Sequence, residues 1–164
     1  MNAPIVAIVG YTLLRRENHY QTKVKILSRK PEATYKNSIH KYINKSNVYF
    51  ASMGGGYVAG IPDVYYEGNA GCLWVEWKNF QVLPREICLL NQSGAAKLSP
   101  LQQQWLRRAN KNNINTAVIC GSPEGGCVFP KNLWEGLLSR ESFINTTLNR
   151  KEIAEWITNQ VYKE

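Results

Sequence analysis

The sequence predicts a mixed α/β domain, a β-sheet flanked by helices, on three observations. Two β-rich runs, Ile61–Glu67 and Cys72–Phe80, flank Gly68-Asn-Ala-Gly71 and read as a hairpin. Helix starts lie on either side of it, at Pro31 and at Ser99-Pro100, and a third helix opens at a capping-box pattern, Asn149-Arg-Lys-Glu152. An apolar run, Thr116–Cys120, follows the second helix as a buried strand, so helices and strands intermix along one chain.

In chain order, Pro4–Gly10 is a short apolar run with no basic stretch before it, which fits a buried strand or helix start better than a signal peptide. Residues 11–30 are polar and basic and suit an arm or a strand pair. A helix is expected from Pro31 to about Lys45. Tyr35, Ile39, Tyr42 and Ile43 fall within about 80° of Glu32 around its axis, which puts that carboxylate inside the apolar stripe. Val48–Ala51 follows as a short strand. Gly54-Gly55-Gly56 lacks the Gly-Lys-Ser/Thr of a phosphate-cradling loop, so no nucleotide or other organic cofactor is expected.

With a four-residue hairpin loop Glu67 pairs with Cys72, and the same register sets Asp63 opposite Glu76, Cβ atoms about 4.5–5.5 Å apart. Glu76 and Lys78 then share a face with Asp63. The Ser99-Pro100 helix is expected to bury Leu101, Trp105 and Ala109 and to expose Arg107, Arg108 and Lys111, ending at Asn112-Asn113. Val128-Phe129 adds a short strand, and the last helix turns Ile153, Trp156, Ile157 and Val161 inward.

The 164 residues, 44% of them hydrophobic, suit one domain with a sizeable core and exclude a disordered chain. Twenty Lys+Arg oppose twelve Asp+Glu, for a net charge of +8. The excess is uneven: residues 1–50 carry +7, residues 51–100 carry −1 and residues 101–164 carry +2. A basic half beside a near-neutral one favours a polyanionic partner, nucleic acid before membrane, against the plainer reading of a solvated surface. No run is long enough to span a bilayer. Cys72, Cys88, Cys120 and Cys127 form no C-x-x-C pair and read as reduced cysteines of a cytoplasmic protein, and with only two histidines a structural zinc site is not expected.

Asp63 is the only aspartate in the chain. With Glu76 across the hairpin it presents two carboxylates suited to a hard divalent cation such as Mg²⁺, and the carbonyl of Trp77 offers a further oxygen. Lys78 beside them can orient a water and offset phosphate charge. These are the parts for metal-assisted phosphodiester hydrolysis. A surface salt-bridge cluster would look similar. Here, however, Glu76 and Lys78 interrupt Leu73-Trp-Val-Glu-Trp-Lys, a strand apolar on both faces, where buried charge requires a reason.

Gly60-Ile-Pro-Asp63, Val75-Glu-Trp-Lys78 and Leu98-Ser-Pro-Leu-Gln102, with Trp105-Leu106 after them and a helix bearing Glu32 before them, resemble the PD-(D/E)xK nuclease superfamily, most closely its VRR-NUC branch. The resemblance runs from Glu32 to Cys120 and implies a restriction-endonuclease-like core. It implies Asp63 and Glu76 as metal ligands, Lys78 as catalytic lysine, Glu32 as a helix-borne acid completing the site, and Gln102 as an active-site polar residue. Mg²⁺ is the implied metal, with Mn²⁺ able to substitute. Glu17 is a competitor for the place of Glu32.

Because stand-alone domains of this kind are similar to junction resolvases that act as homodimers, the implied activity is an endonuclease on structured or branched DNA. Alternatives are a restriction or homing enzyme on the same core, a non-catalytic DNA-binding protein, or a module for an acidic partner. Lys23, Lys25, Arg29, Lys30, Lys36, Lys41 and Lys45 are placed to track phosphates, and Tyr57, Tyr65 and Tyr66 to stack on unpaired bases. The expected organisation is a single nuclease domain over 1–164, with a basic extension at 1–30, the core at 31–120 and a helical extension at 121–164. The twenty-residue link Asn79–Leu98, rich in apolar side chains, is expected to form a dimer contact or a substrate-shaping loop.

Overall fold

The structure, a computed structural model, describes residues 31–53, 59–90 and 96–164, together with the backbone of two short strands in the basic N-terminal region. Those strands, β1 (Leu13–Arg16) and β2 (His19–Thr22), form an antiparallel pair, one of the two forms expected for that region. Expectations for Pro4–Gly10, for Gly54-Gly55-Gly56 and for Glu17, Lys23, Lys25, Arg29, Lys30 and Tyr57 lie outside the described residues.

A five-stranded sheet forms the centre, in the order β3 (Tyr49–Ser52), β4 (Val64–Gly68), β5 (Gly71–Asn79), β7 (Thr116–Gly121), β8 (Gly126–Pro130). Only β5 and β7 run parallel; the remaining neighbours are antiparallel. Parallel neighbours require a crossover connection, and α2 (Pro100–Lys111) lies within it. Before β3 stands α1 (Pro31–His40), and α4 (Arg150–Val161) closes the chain. The mixed sheet flanked by helices is the fold class expected.

The hairpin register is also as expected: Glu67 pairs with Cys72 and Val64 with Val75. Its loop is shorter than expected. Gly68 and Gly71 pair with each other, leaving Asn69-Ala70 as a two-residue turn, the commonest connection between antiparallel strands.

Each face of the sheet carries a core. On one, Leu73, Val75 and Trp77 of β5 and Ala117 and Ile119 of β7 pack against Tyr35 and Ile39 of α1 and Ile153, Ala154, Ile157 and Val161 of α4. On the other, Val118 and Cys120 of β7 and Cys127 and Phe129 of β8 meet Leu106 of α2, Trp134 and Phe143. Burial on both faces explains the apolar run in β5. Glu76 and Lys78 alternate onto the second face.

Four expectations need correction. The first helix ends at His40 rather than near Lys45, and continues as turns in which Ile43 is still buried but Tyr42 stands exposed. In α2 the buried positions are Leu106 and Ala109, while Leu101 is 51% exposed and Trp105 half-buried. Gln102, whose side chain is held by Ser99 and Glu76, turns the helix so that Leu101 faces away. Tyr66 is no stacking platform: it is fully buried and its hydroxyl hydrogen-bonds to His40 Nε2 at 2.7 Å. Finally, most apolar side chains in the described part of the link 79–98 turn inward instead of standing free for a partner. Phe80, Leu83, Ile87, Leu89, Ala96 and Leu98 are buried in the chain's own second core, and β6 (Glu86–Ile87) pairs with β9 (Leu138–Ser139), just ahead of α3 (Arg140–Asn145). Val82 alone among its large apolar residues is strongly exposed in the described part.

Candidate active site

Three backbone segments converge where β4 begins and β5 ends. Gly60-Ile-Pro-Asp63 leads into β4, Glu76-Trp-Lys78 is the last part of β5, and Ser99–Gln102 is the first turn of α2. Gly60 makes the first and third meet. Its φ of +89° suits glycine, and a Cβ there would lie 2.8 Å from both Cβ and O of Leu101. No residue with a side chain fits without pushing the Asp63 turn away from α2.

Asp63 sits one residue ahead of the ladder, so the strand partner that Trp77 would otherwise have is missing. The Asp63 carboxylate replaces it: Oδ2 accepts from the Trp77 backbone N–H at 2.9 Å. A strand residue's N–H and C=O point to the same edge, so the Trp77 carbonyl faces the side on which Asp63 stands. The indole of Trp77 points the other way, into the first core.

Glu76 is 1% exposed and Lys78 7%. Lys78 Nζ lies 2.7 Å from Glu76 Oε1. Gln102 Nε2 donates to the same oxygen at 2.5 Å, while Gln102 Oε1 accepts from the Ser99 backbone N–H at 2.9 Å and from Lys78 Nζ at 3.5 Å. Gln102 is therefore both the third residue of a capping box and a ligand of the buried carboxylate. Only an amide can do both. A glutamate would cap equally well but would set a second negative charge against Glu76.

Electrostatics follow from this burial. Desolvation pushes the Glu76 carboxyl up to about 7; Lys78 pulls it back, and the negative charges of Asp63 and Glu32 add to the rise. Burial pushes Lys78 down, but Glu76, Glu32 and Asp63 outweigh it and hold its pKa above the ordinary lysine value. Lys78 is thus a cation at neutral pH, fitted to electrostatic work and not to accepting a proton.

Among the described residues the second oxygen of Glu76, Oε2, is buried without a hydrogen-bond partner. A buried carboxylate oxygen left so is costly and calls for a cation or a donor. Among the described residues no three His, Cys, Asp or Glu side chains cluster closely enough to hold a metal by themselves. Two carboxylates, the Trp77 carbonyl and water make a donor set that fits Mg²⁺, which takes oxygen ligands and keeps several waters.

The fold and the site together can be compared with known proteins. No protein-family model matches the chain, and no curated protein matches it. The solved structure of Hjc from Archaeoglobus fulgidus, a Holliday junction resolvase from an archaeal hyperthermophile, does match in fold, with 15% sequence identity, a TM-score of 0.50, and 74% of this chain and 98% of that chain covered. The likeness is one of fold.

The structure thus brings together Asp63, Glu76, the Trp77 main chain, Lys78 and Gln102. Glu32, half-buried in the first turn of α1, reaches the group through its charge, which acts on both Glu76 and Lys78. It does not form a three-carboxylate cluster with the other two. Lys36 is half-buried on α1 and Lys41 exposed just beyond it. Sequence reasoning missed a row of aromatic rings on the same face: Tyr65 lies 4.9 Å from Trp74, and Trp74 lies 5.3 Å from Trp105, centroid to centroid. The hairpin register, which sets Tyr65 against Trp74, was the signal available for half of that row.

Proposed function

We propose that the chain is a divalent-metal-dependent endodeoxyribonuclease that hydrolyses phosphodiester bonds in structured or branched DNA. The buried Oε2 of Glu76, unpartnered among the described residues and beside Asp63 and the cationic Lys78, carries this reading. The resolvase fold of Hjc supports a branched substrate over a plain duplex.

Asp63, Glu76 and the Trp77 carbonyl would hold Mg²⁺, with Mn²⁺ as substitute; when bound, the ion supplies Lewis-acid activation of the phosphate and a more acidic water. The chain's own residues do the rest. Lys78 Nζ places a positive charge where the phosphoryl oxygens gain negative charge and holds the attacking water in line. Gln102 and Lys78 both engage Oε1 of Glu76, which leaves Oε2 turned away from them. Asp63 is oriented by the Trp77 N–H. The new bond forms between water oxygen and phosphorus as the P–O3′ bond breaks; the attacking water releases its proton to solvent, O3′ takes one up from solvent, and the products are a 5′-phosphate and a 3′-hydroxyl.

The positive charge of residues 1–50, including Lys23, Lys25, Arg29, Lys30, Lys36 and Lys41, gives DNA affinity that falls with salt. The reading includes a homodimer, since a four-way junction is two-fold symmetric and two identical sites match it. It includes action in the cytoplasm, and among the described residues no helix is long and apolar enough to cross a membrane.

Incubation with supercoiled, linear and four-way-junction DNA, in Mg²⁺ or EDTA, tests the proposal. Junction cleavage that needs Mg²⁺ and is lost in Asp63→Ala and Lys78→Ala is expected. Equal cutting by Asp63→Ala would remove the metal-site assignment, and binding without cutting on every substrate would make this a DNA-binding protein.

A further inference from the structure

We infer that the cavity between α2 and the Gly60-Ile61 turn is a subsite for an unpaired nucleobase, stacked on Trp105 beside the phosphate that is cut. The inference rests on the nuclease reading and names the substrate class that site would take.

The cavity has a volume of about 460 Å³, within the ~300–1,000 Å³ of small-molecule pockets, and is lined by Ala59, Ile61, Leu101, Gln104, Trp105 and Arg108. Four of these occupy positions i, i+3, i+4 and i+7 of α2, one face of the helix. That face is apolar at its centre yet open: Leu101 is half exposed and Trp105 only half-buried. The rings of Tyr65, Trp74 and Trp105, all half-buried, continue it across β4 and β5 on the face that bears Glu76 and Lys78.

The spacing ties this surface to the chemistry. Trp74 lies two residues before Glu76 on the same strand face, roughly 6.5 Å along the strand. Trp105 lies three residues beyond Gln102, about 4.5 Å along the helix axis, and Gln102 is bonded to Glu76. A ring lying on Trp105 therefore belongs to a nucleotide neighbouring the scissile phosphate.

The occupant's chemistry follows from the lining. Aromatic and aliphatic walls take a flat apolar face, Gln104 offers an amide to a base edge, and Arg108 brings positive charge to the rim for a phosphate. Nucleotides combine all three properties. In a duplex, however, both faces of a base are covered by its neighbours and entry costs a few kcal/mol of unstacking and unpairing, so a base already out of the stack is favoured. The substrate class is DNA with an unpaired nucleotide next to the cut: a flap, a gap or the centre of a junction.

Fluorescence of 2-aminopurine tests this with the full chain in EDTA. One oligonucleotide carries the probe unpaired at the foot of a flap, another carries it paired within a duplex. Wild type should quench the flap probe and bind the flap more tightly. Trp105→Leu, shown to be folded by thermal melting, should lose about 5- to 150-fold in flap affinity, as expected for one stacked base. Trp105→Phe should retain most of it, and duplex affinity should change less than about twofold, because stacking is absent there.

Equal losses on flap and duplex, equal behaviour of the Leu and Phe variants, or no quenching of the flap probe would overturn the inference. So would loss of self-association in Trp105→Leu with DNA affinity intact, which would make the cavity a protein contact. A chain that cuts no DNA but shows the expected pattern refutes the nuclease reading and keeps the subsite. A chain that cuts junctions with no flap-specific loss in Trp105→Leu does the reverse.

Discussion

Gly60→Ala should damage both stability and activity, and the size of each effect follows from where the added methyl group lands. At φ +89° an L-residue is strained by about 1–2 kcal/mol. Its Cβ would also meet Leu101 O at 2.8 Å and Leu101 C at 2.9 Å, helix backbone that cannot rotate aside. Overpacking of this kind costs a further ~1–3 kcal/mol, for a total of about 2–5 kcal/mol.

Gly71→Ala is the matching control. It too has a positive φ, +141°, but among the described residues nothing lies within 4 Å of its Cβ, so it reports backbone strain without a clash. Urea unfolding of both variants gives the two costs, and their difference reports the clash. Because relief requires the Asp63 turn to move off α2, cleavage by Gly60→Ala should fall by at least tenfold at a temperature where the protein stays folded. Gly71→Ala should cut normally. Equal destabilisation of the two variants, or unimpaired cutting by Gly60→Ala, would refute the claim that this contact positions Asp63 against Gln102.

Gln102→Glu should keep the helix cap yet lose most activity, whereas Gln102→Leu should lose both; urea melts beside cleavage rates separate the two effects, and a fully active Gln102→Glu would contradict the assigned geometry. Ser99→Ala removes the hydroxyl that accepts from the Gln102 N–H and should cost about 0.5–2 kcal/mol in thermal unfolding. His40 gives a pH dependence: burial first, then Lys36 and Lys45, hold its pKa down at about 4. Between pH 6.5 and 4 the unfolded chain binds a proton that the folded chain refuses, so stability present above pH 6.5 is lost as pH falls, by on the order of 3 kcal/mol. A stability–pH curve of His40→Gln no flatter than wild type over that interval would show the loss to come from elsewhere.

Much of the fold was legible because local chemistry and tertiary packing agree. Ser99-Pro100 and Asn149…Glu152 start helices where their caps place them, and the two glycines of the hairpin set the register Val64 to Val75, beyond which Asp63 leaves the ladder and takes the Trp77 N–H instead of pairing with Glu76. What was misread is where a tertiary contact overrides periodicity. In α2, helical spacing alone assigns Leu101 to the core, but the bonds of Gln102 to Ser99 and Glu76 rotate the polar residue inward and leave Leu101 open. The apolar link 79–98 suggested a partner because its own partners, Trp134 and Phe143, lie some fifty residues away in sequence, beyond any local pattern. The site residues shared a neighbourhood in the sequence reading, but the dual role of Gln102 and the unpartnered oxygen of Glu76 are properties of three-dimensional packing.

The central claim is that Glu76 serves a phosphodiester-cleaving metal site, and single-turnover cleavage of an end-labelled four-way junction tests it most directly. Wild type should cut in Mg²⁺ and not in EDTA, leaving 5′-phosphate and 3′-hydroxyl ends. Glu76→Gln, which keeps the shape and supplies a donor in place of one carboxylate oxygen, should fold, bind the junction and cut at least about a hundredfold more slowly. Cutting by Glu76→Gln at the wild-type rate, or by wild type in EDTA, would contradict the account.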